Sequence, residues 1–347
     1  MKRPAIKVEA CPAFSRVPLC NPWLRYCLTG PIVVVLVITA ACTKGTTPAA
    51  ASASTTATSE PAPAPEPLAA DSAPLPHIDS KRAFEYTREV TAFGPRYMGN
   101  DNHKKLERYI IDHLKGDQVE DDAFVADTVE GKFSVRNIIA KFPGTKDGII
   151  VIMGHYDTNY PLRDTGYVGA NDGGSSTAIL LEYANQLRGK KRDGYSVWLV
   201  WTDGEEAVRH WTDTDSVYGA RHLAEKWEKD GTLKKIKALL VMDMIGDADL
   251  NIDRNSNCTP WLLDLIYAAA QREGYQSHFY AREGPIEDDH IPFVTRSVPS
   301  ADVIDLDYGY NNVFHHTPQD TMDKLSPKSL EIVGDTTLET IRMLDQR

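Results

Sequence analysis

Residues 195–206 read YSVWLVWTDGEE, an apolar run followed by two adjacent carboxylates, Glu205 and Glu206. The apolar part predicts a buried strand, because it is short, rich in aromatic and β-branched residues and bounded by turn residues. Two like charges directly behind a buried strand repel each other and lose hydration unless a cation or a shared proton compensates. The stretch therefore predicts a central strand and a functional site at the end of that strand.

Two further apolar runs end in polar side chains. GIIVIMGHYD (148–157) ends in His155 and Asp157, and KIKALLVMDMIGD (235–247) carries Asp243. In open α/β sheets, ligands bind in the crevice beyond the carboxyl ends of the strands. We therefore expect these side chains to converge with Glu205 and Glu206.

Around these runs, helical patterns alternate with short apolar segments. This alternation predicts an α/β fold with a mixed, mostly parallel central β-sheet flanked by helices on both faces. The helices are predicted near residues 79–91, 100–115, 174–188, 216–229, 260–273 and 326–345. The strands are predicted near 122–127, 134–142, 148–154, 195–201, 236–242 and 300–305. Because EGK separates the first two strands, we expect them to form an antiparallel pair at the sheet edge.

Residues 1–75 lack the pattern of strands and helices that predicts the α/β fold. Residues 1–42 are basic at first, then apolar from Ile32 to Ala41, and end at Cys42, which predicts a signal peptide of the lipoprotein type. Simple export and an uncleaved anchor are the alternatives. Residues 43–75 are mostly Ala, Ser, Thr and Pro and predict a disordered linker. We expect an exported protein of the periplasm or cell envelope, lipid-anchored at Cys42, with one catalytic domain at 76–347.

The net charge and the cysteine content limit the possible binding partners and disulfide bonds of the protein. The chain carries a net charge of −11, and because its leader is basic the rest is more acidic still, which argues against nucleic-acid binding. After cleavage Cys258 would be the one cysteine left in the globular body, so no intramolecular disulfide is expected within it. Apart from a lipid anchor, we expect no membrane contact, and we expect a monomer.

Two loop motifs add the residue types of a metal site. VGANDGGSS (168–176) supplies Asp172, and VFHHTPQD (313–320) supplies His315 and His316. Aspartate, glutamate and histidine in one crevice suit a divalent cation, and zinc binds both carboxylate and imidazole. Three protein ligands leave a position open for substrate, which is typical of a catalytic site. Successive side chains diverge, so one of the two glutamates can bind the metal while the other faces the substrate.

The motifs resemble those of the animal-type glutaminyl-peptide cyclotransferases, zinc enzymes that share the fold of the co-catalytic zinc aminopeptidases. The resemblance extends from FGPRYMGN, which begins at residue 93, to TMDKLS near 326, and its most specific blocks are DGEEAVRHWTDTDSVYGARHLAEKW (203–227) and EDDHIPF (287–293). It implies cyclisation of N-terminal Gln, and secondarily Glu, of peptides and proteins to pyroglutamate. Ammonia is released when Gln reacts, and no serine or cysteine nucleophile is needed.

By matching position, the resemblance implies a role for each site residue. Asp172, Glu206 and His316 would hold one zinc ion per chain. Glu205 would be the general acid and base, hydrogen-bonded in an acid network with Asp243 and Asp289. Trp211 would line the substrate pocket. Electrostatic repulsion supports such a network, because ionising all three neighbouring carboxyl groups has a high free-energy cost. They should therefore share a proton.

The sequence departs from the animal pattern around the pocket. His315 stands where the animal enzymes have an indole, and Asn311 replaces an aromatic residue. Phe314 and Tyr310 are the nearby aromatic substitutes. We therefore expect Trp211, His315 and Phe314 to contact the substrate in a pocket of altered shape. The disulfide of the animal enzymes is also missing.

Two other functions fit the same motifs. A two-zinc aminopeptidase needs five ligands, and the chain offers His155, Asp172, Glu206, Asp243 and His316. In that enzyme Asp172 would bridge the two ions, and Glu205 would activate a water molecule. Asp289 favours the cyclase, because a third acid beside Asp243 suits a proton-sharing network. A non-catalytic binding module of the same fold is the second alternative.

Overall fold

The carboxyl ends of four parallel strands meet at one edge of a six-stranded sheet in the computed structural model, which describes residues 74–347. The strands are β1 (Gln118–Thr128), β2 (Gly131–Phe142), β3 (Lys146–His155), β4 (Tyr195–Thr202), β5 (Ile236–Asp243), β6 (Ile252–Asn255), β7 (Phe279–Gly284) and β8 (Ser300–Ile304). The sheet order is β1-β2-β4-β3-β5-β8. Strands β4, β3, β5 and β8 are parallel, whereas β1 and β2 pair antiparallel at the edge. The prediction of a mixed, mostly parallel sheet is confirmed.

The described residues form seven α-helices, and all but the sixth begin and end close to their predicted positions. They are α1 (Ser80–Thr91), α2 (Asp101–His113), α3 (Gly174–Leu187), α4 (Tyr218–Asp230), α5 (Pro260–Glu273), α6 (Ile291–Val294) and α7 (Pro327–Asp345). Side-chain caps start α1 at Asp79, α2 at Asn100 and α7 at Ser326. Strands β6 and β7 and helix α6 were not predicted from the sequence. Two of these have four residues, too few to show a periodic pattern.

Alternate residues of the central strands face two separate cores. In β3, Ile150 and Ile152 belong to the core that includes side chains of α1, α3, α5 and α7. Val151 and Met153 belong to the opposite core, which includes Trp227 of α4. Because both faces of the strand are buried, its sequence is a continuous apolar run rather than an alternating one.

The chain order of the strands creates a crevice at the end of β3. From β3 the chain passes through α3 to β4 on one side, then through α4 to β5 on the other side of β3. Helices α3 and α4 pack on opposite faces of the sheet. Such a topological switch point opens a cleft beyond the strand ends. His155 ends β3 and Asp243 ends β5, so both lie at this cleft.

The predicted leader 1–42, its lipid site at Cys42 and nearly all of the 43–75 linker lie outside the described residues. These assignments, and the division into segments that rests on them, stay predictions. Within residues 74–347, no helix is both long enough and apolar enough to cross a bilayer. Cys258, in the same part of the chain, is buried and forms no disulfide.

Candidate active site

Asp172, Glu206 and His316 bring their ligand atoms together at the cleft. The Nε2 atom of His316 lies 3.3 Å from Oδ2 of Asp172 and 3.2 Å from Oε1 of Glu206. That Glu206 oxygen is buried and has no hydrogen-bond partner within the described residues. Atoms bound tetrahedrally to zinc at about 2.0–2.2 Å lie roughly 3.3–3.5 Å apart. The donor set and the two measured separations therefore fit a zinc ion.

The backbone near these ligands has positive φ angles at two residues. His316 adopts a φ of 51°, in the left-handed region that non-glycine residues seldom occupy. Gly173 follows Asp172 with a φ of 74°, and a Cβ atom there would lie 2.6 Å from the carbonyl oxygen of Asp157 and 3.0 Å from the His155 ring. Only glycine allows the Asp172 loop to approach the end of β3 this closely.

A second set of donor atoms shares Asp172. The Nε2 atom of His155 lies 3.1 Å from Oδ1 of Asp172 and 3.2 Å from Oδ1 of Asp243, and all three residues are buried. The two oxygens of Asp172 thus face two neighbouring sets of donors. This is the arrangement that a two-metal centre requires. It is equally consistent with an imidazole N–H of His155 that donates to the two carboxylates.

Glu205 and Glu206 point in different directions because their loop is held through its backbone. Asp157 accepts hydrogen bonds from the backbone N–H groups of both glutamates, at 3.1 and 3.3 Å. The Glu206 side chain turns to the metal-ligand set, where Asn159 donates to its Oε2 at 2.7 Å. Both side chains line one cavity, and the Glu206 carboxylate is the one that contacts His316. Burial raises the pKa of Glu205 well above its usual range. The charge of His155 acts to lower this pKa, and the charge of Asp288 raises it further.

This cavity has a volume of about 380 Å³ and contains most of the predicted site residues. Its lining consists of Asp172, Glu205, Glu206, Trp211, Asp243, Met244, Pro285, Ile286, Glu287, Asp288, Ile304, Leu306, His315 and His316. The three predicted metal ligands and the predicted general base therefore line the same cavity. The apolar remainder of the lining is suited to a small, mostly uncharged group.

The acid that faces the cavity together with Asp243 is Asp288, whereas the sequence analysis assigned that position to Asp289. Asp289 is fully buried, lies outside the lining and accepts a hydrogen bond from the Thr202 hydroxyl. Burial, followed by the charges of nearby aspartates, raises the pKa of Asp288 well above its usual range. The chain turns into α6 here, with the Asp288 carbonyl accepting from Ile291 at 2.9 Å, so adjacent side chains diverge. The sequence pattern could not show which aspartate faces inward.

Trp211 and His315 line the cavity, as the sequence analysis expected. Trp211 is 38% exposed, and its indole N–H donates to Oε2 of Glu287 at 3.1 Å. This bond fixes the indole at the rim of the cavity.

Phe314 does not line the cavity, contrary to the expectation that it replaces a missing pocket aromatic. Its ring packs edge-on against Tyr308 with centroids 5.4 Å apart, in a small separate core. Tyr310, the other candidate, is 87% exposed and also lies outside the lining. Because Asn311 and Asn312 both have a φ of 58°, the loop turns twice and carries these side chains away from the cavity.

Asp320 joins the two loops that carry Asp172 and His316. Its carboxylate accepts hydrogen bonds from the backbone N–H groups of Asn171 at 2.8 Å and Asp172 at 3.2 Å. The buried Tyr308 hydroxyl donates to the same carboxylate at 3.0 Å. The contact explains how distant segments are held together at the site. In the sequence, the signal for this contact is the aspartate of the histidine motif.

A buried imidazole supports the loop that carries Glu205. His103 in α2 lies with Nε2 2.7 Å from Oδ1 of Asp203 and Nδ1 3.2 Å from Oε1 of Glu107. The other oxygen of Asp203 accepts from the backbone N–H of Arg136 at 2.8 Å. Burial would lower the pKa of His103, but Asp203 and Glu107 outweigh it and raise the pKa to about 10. The protonated imidazole therefore bridges two carboxylates directly behind Glu205.

This bridge predicts a pH-dependent contribution to stability. The folded pKa of about 10 lies above the ordinary histidine value of 6.5, so the contribution is fully present below pH 6.5. It is lost as the pH rises through about 10. We expect His103→Gln to cost on the order of 3 kcal/mol of unfolding free energy at pH 6, and much less near pH 10.5. Urea unfolding of both proteins at the two pH values measures this, and a cost that does not change with pH would contradict the prediction.

The sequence matches one protein family and a curated enzyme. The sequence profile of peptidase family M28 matches residues 137–341. The glutaminyl-peptide cyclotransferase of Drosophila melanogaster is 32% identical over 253 residues, which cover 65% of this chain and 70% of that protein.

Solved structures with a similar fold include glutaminyl cyclases and a zinc-dependent exopeptidase. The crystal structure of an Acidobacteriales bacterium glutaminyl cyclase has a TM-score of 0.78 and 48% identity, and covers 83% of this chain and 100% of its own. A Zn-dependent exopeptidase from Parabacteroides distasonis has a TM-score of 0.70 and 26% identity, and covers 77% of this chain and 99% of its own. The chain thus belongs to peptidase family M28 and is a homologue of the glutaminyl-peptide cyclotransferases.

Proposed function

We propose that the chain is a zinc-dependent glutaminyl-peptide cyclotransferase that converts N-terminal Gln of peptides and proteins to pyroglutamate and releases ammonia. N-terminal Glu is a secondary substrate in this proposal. The observation that carries it is the placement of three acids, Glu205, Asp243 and Asp288, around one cavity beside the Asp172–Glu206–His316 set. The cyclotransferase relatives support the same activity.

The residues of the site divide the work of the reaction. Asp172, Glu206 and His316 would hold one zinc ion, which supplies a Lewis acid for the side-chain amide carbonyl of the substrate. Glu205 accepts a proton from the α-amine as its nitrogen forms a bond to the amide carbon. Glu205 then delivers that proton to the amide nitrogen, whose bond to the same carbon breaks as ammonia leaves. Asp243 and Asp288 offer carboxylate oxygens to the N–H groups involved.

The cavity contributes by holding the amine and the amide close together. A volume of about 380 Å³ accommodates a single N-terminal residue folded on itself. Trp211 at the rim, fixed by Glu287, limits the orientations of that residue. Holding both reacting groups in near-attack geometry removes much of the entropic barrier to ring closure.

A two-zinc aminopeptidase is the second candidate function. The distances of 3.1 and 3.2 Å from His155 to Asp172 and Asp243 favour it, because they also suit a second ion. In that reaction Glu205 would take a proton from water instead of from the substrate amine. The cyclase proposal predicts one zinc per chain, the aminopeptidase predicts two, and a binding module predicts no turnover.

Ammonia release tests the reaction directly. The purified protein is incubated with a Gln-initiated dipeptide amide, with and without a chelator, and ammonia is measured by a coupled assay. We expect release that stops on chelation and returns with added zinc. A Leu-initiated peptide serves as the matched substrate. Release of free leucine, without ammonia from the Gln peptide, would establish the aminopeptidase instead.

A further inference from the structure

His315 lies on the cavity wall immediately beside the metal-ligand set. Its ring centroid is 4.0 Å from that of His316. One of its ring nitrogens lies within 4.8 Å of ligand atoms of both Asp172 and His316. By position alone, His315 could serve either as a further metal ligand or as a hydrogen-bond donor to the substrate. The two roles require different tautomers of the neutral imidazole.

Neighbouring hydrogen bonds determine which tautomer is present. The Nδ2 atom of Asn312 lies 3.1 Å from Nδ1 of His315. The orientation of this amide is fixed, because the backbone N–H of Tyr308 donates to Asn312 Oδ1 at 3.1 Å and a backbone N–H can only donate. The Asn312 NH₂ group therefore faces Nδ1, which must accept. The ring proton of His315 consequently lies on Nε2.

The same geometry disfavours the other two states of the ring. A proton on Nδ1 would place two N–H groups against each other across 3.1 Å, whether the ring is neutral or an imidazolium. With its proton on Nε2 and its Nδ1 lone pair engaged by Asn312, His315 has no lone pair left to bind a metal. We conclude that the ring acts as a hydrogen-bond donor through Nε2.

The loop that carries Asn312 and His315 is connected to Asp320, which also anchors the Asp172 loop. Asn312 donates through its backbone to Gly309 at 2.9 Å, and Phe314 donates to Tyr308 at 3.2 Å. The Tyr308 hydroxyl in turn donates to Asp320, which also accepts from the backbone of Asp172. The Nε2–H group is thus fixed relative to the metal-ligand set before a substrate binds. Within the described residues, the hydrogen bond of the His315 side chain is the one between its Nδ1 and Asn312, and the ring forms part of the cavity lining.

We propose that His315 is a further catalytic residue, whose Nε2–H donates a hydrogen bond to the side-chain carbonyl oxygen of the N-terminal Gln. This proposal rests on the cyclotransferase function proposed above. The carbonyl oxygen gains negative charge as the amine attacks, and His315 lies beside Asp172 and His316, two of the residues that would hold the zinc ion. A donor fixed in advance stabilises the developing charge more than it stabilises the ground state. The contribution should therefore appear in kcat.

Two substitutions of His315 distinguish the effect of its hydrogen-bond donor from the effect of its ring shape. His315→Phe keeps a flat ring but removes the donor, whereas His315→Gln places an amide N–H near the former position of Nε2. We expect kcat for a Gln-initiated dipeptide amide to fall between about ten- and a hundredfold in His315→Phe, with KM nearly unchanged. His315→Gln should recover most of the loss. Both variants should keep the zinc content and the melting temperature of the parent protein.

Other outcomes would overturn the proposal. A higher KM with unchanged kcat in His315→Phe would make His315 a binding residue only, and loss of zinc would make it a metal ligand. Unchanged kinetics would remove it from the reaction altogether. If the parent protein releases no ammonia, the proposed function itself fails, which the unsubstituted enzyme shows before any variant is made.

The tautomer can be measured without turnover. Nitrogen-15 chemical shifts of histidine-labelled protein, assigned to residue 315 by the loss of its signals in His315→Gln, distinguish a protonated Nε2 from a protonated Nδ1. We expect the proton on Nε2 in the parent protein, and a mixture of tautomers in Asn312→Ala. A proton on Nδ1 in the parent protein would contradict the orientation deduced here, whatever the activity.

Discussion

Replacement of Glu205 by glutamine is expected to lower kcat/KM for Gln-initiated peptides about a thousandfold while the zinc content stays unchanged. The change keeps the shape of the side chain but removes its ability to accept and return a proton. Glu205 and Glu206 both line the cavity, but it is the Glu206 carboxylate that lies 3.2 Å from Nε2 of His316. Because only Glu206 belongs to the metal-ligand set, a neutral side chain at 205 should leave the metal in place.

Steady-state ammonia release and elemental analysis of the same sample test this expectation. Glu287→Gln is a matched control, because Glu287 lines the same cavity and its replacement can still accept from Trp211. This control should retain activity within a few-fold of the parent protein. Loss of zinc from Glu205→Gln would show that the roles of Glu205 and Glu206 are reversed.

The sequence predicted the strands of this site well because each is buried on both faces. Continuous apolar runs such as Ile149–Met153 have few alternatives to a central strand, and the polar residue after each run marks its carboxyl end. The convergence of His155, Asp243 and the two glutamates follows from that topology. Their placement could therefore be derived without any knowledge of side-chain contacts.

The sequence could not predict features that depend on irregular backbone. Asp288 and Asp289 are adjacent in a turn, and only the direction of the chain into α6 decides which one faces the cavity. The position of Phe314 outside the cavity also depends on irregular backbone. Asn311 and Asn312, which precede it, both adopt a left-handed backbone conformation that changes the direction of the loop. Positive φ at non-glycine residues is not readable from composition.

The roles of the two anchoring aspartates could not be derived from the sequence, because these residues act through backbone contacts. Asp157 accepts from two backbone N–H groups of the glutamate loop, and Asp320 accepts from two in the Asp172 loop. Such contacts join segments that are far apart in the chain, so no local spacing reveals them. They explain how loops, rather than strands, can hold several ligands in place.

A pair of histidine substitutions should show how many metal ions the site holds. His316→Asn is expected to bind zinc at least about a hundredfold more weakly and to reduce ammonia release to the background rate. Asparagine is the suitable replacement, because it tolerates the φ of 51° at this position while its short side chain does not reach the position of Nε2. A loss of activity then reflects the missing ligand and not a strained backbone.

His155→Gln is the matched partner, because it changes the histidine that lies between Asp172 and Asp243. If the centre holds one ion, at the Asp172–Glu206–His316 set, the parent protein and His155→Gln should both contain one zinc per chain after equilibration in a zinc buffer. A two-metal centre would instead give two ions in the parent protein and one in His155→Gln. Elemental analysis of the three proteins decides between these counts, and two ions in the parent protein would favour the aminopeptidase reaction, in which Glu205 takes its proton from water.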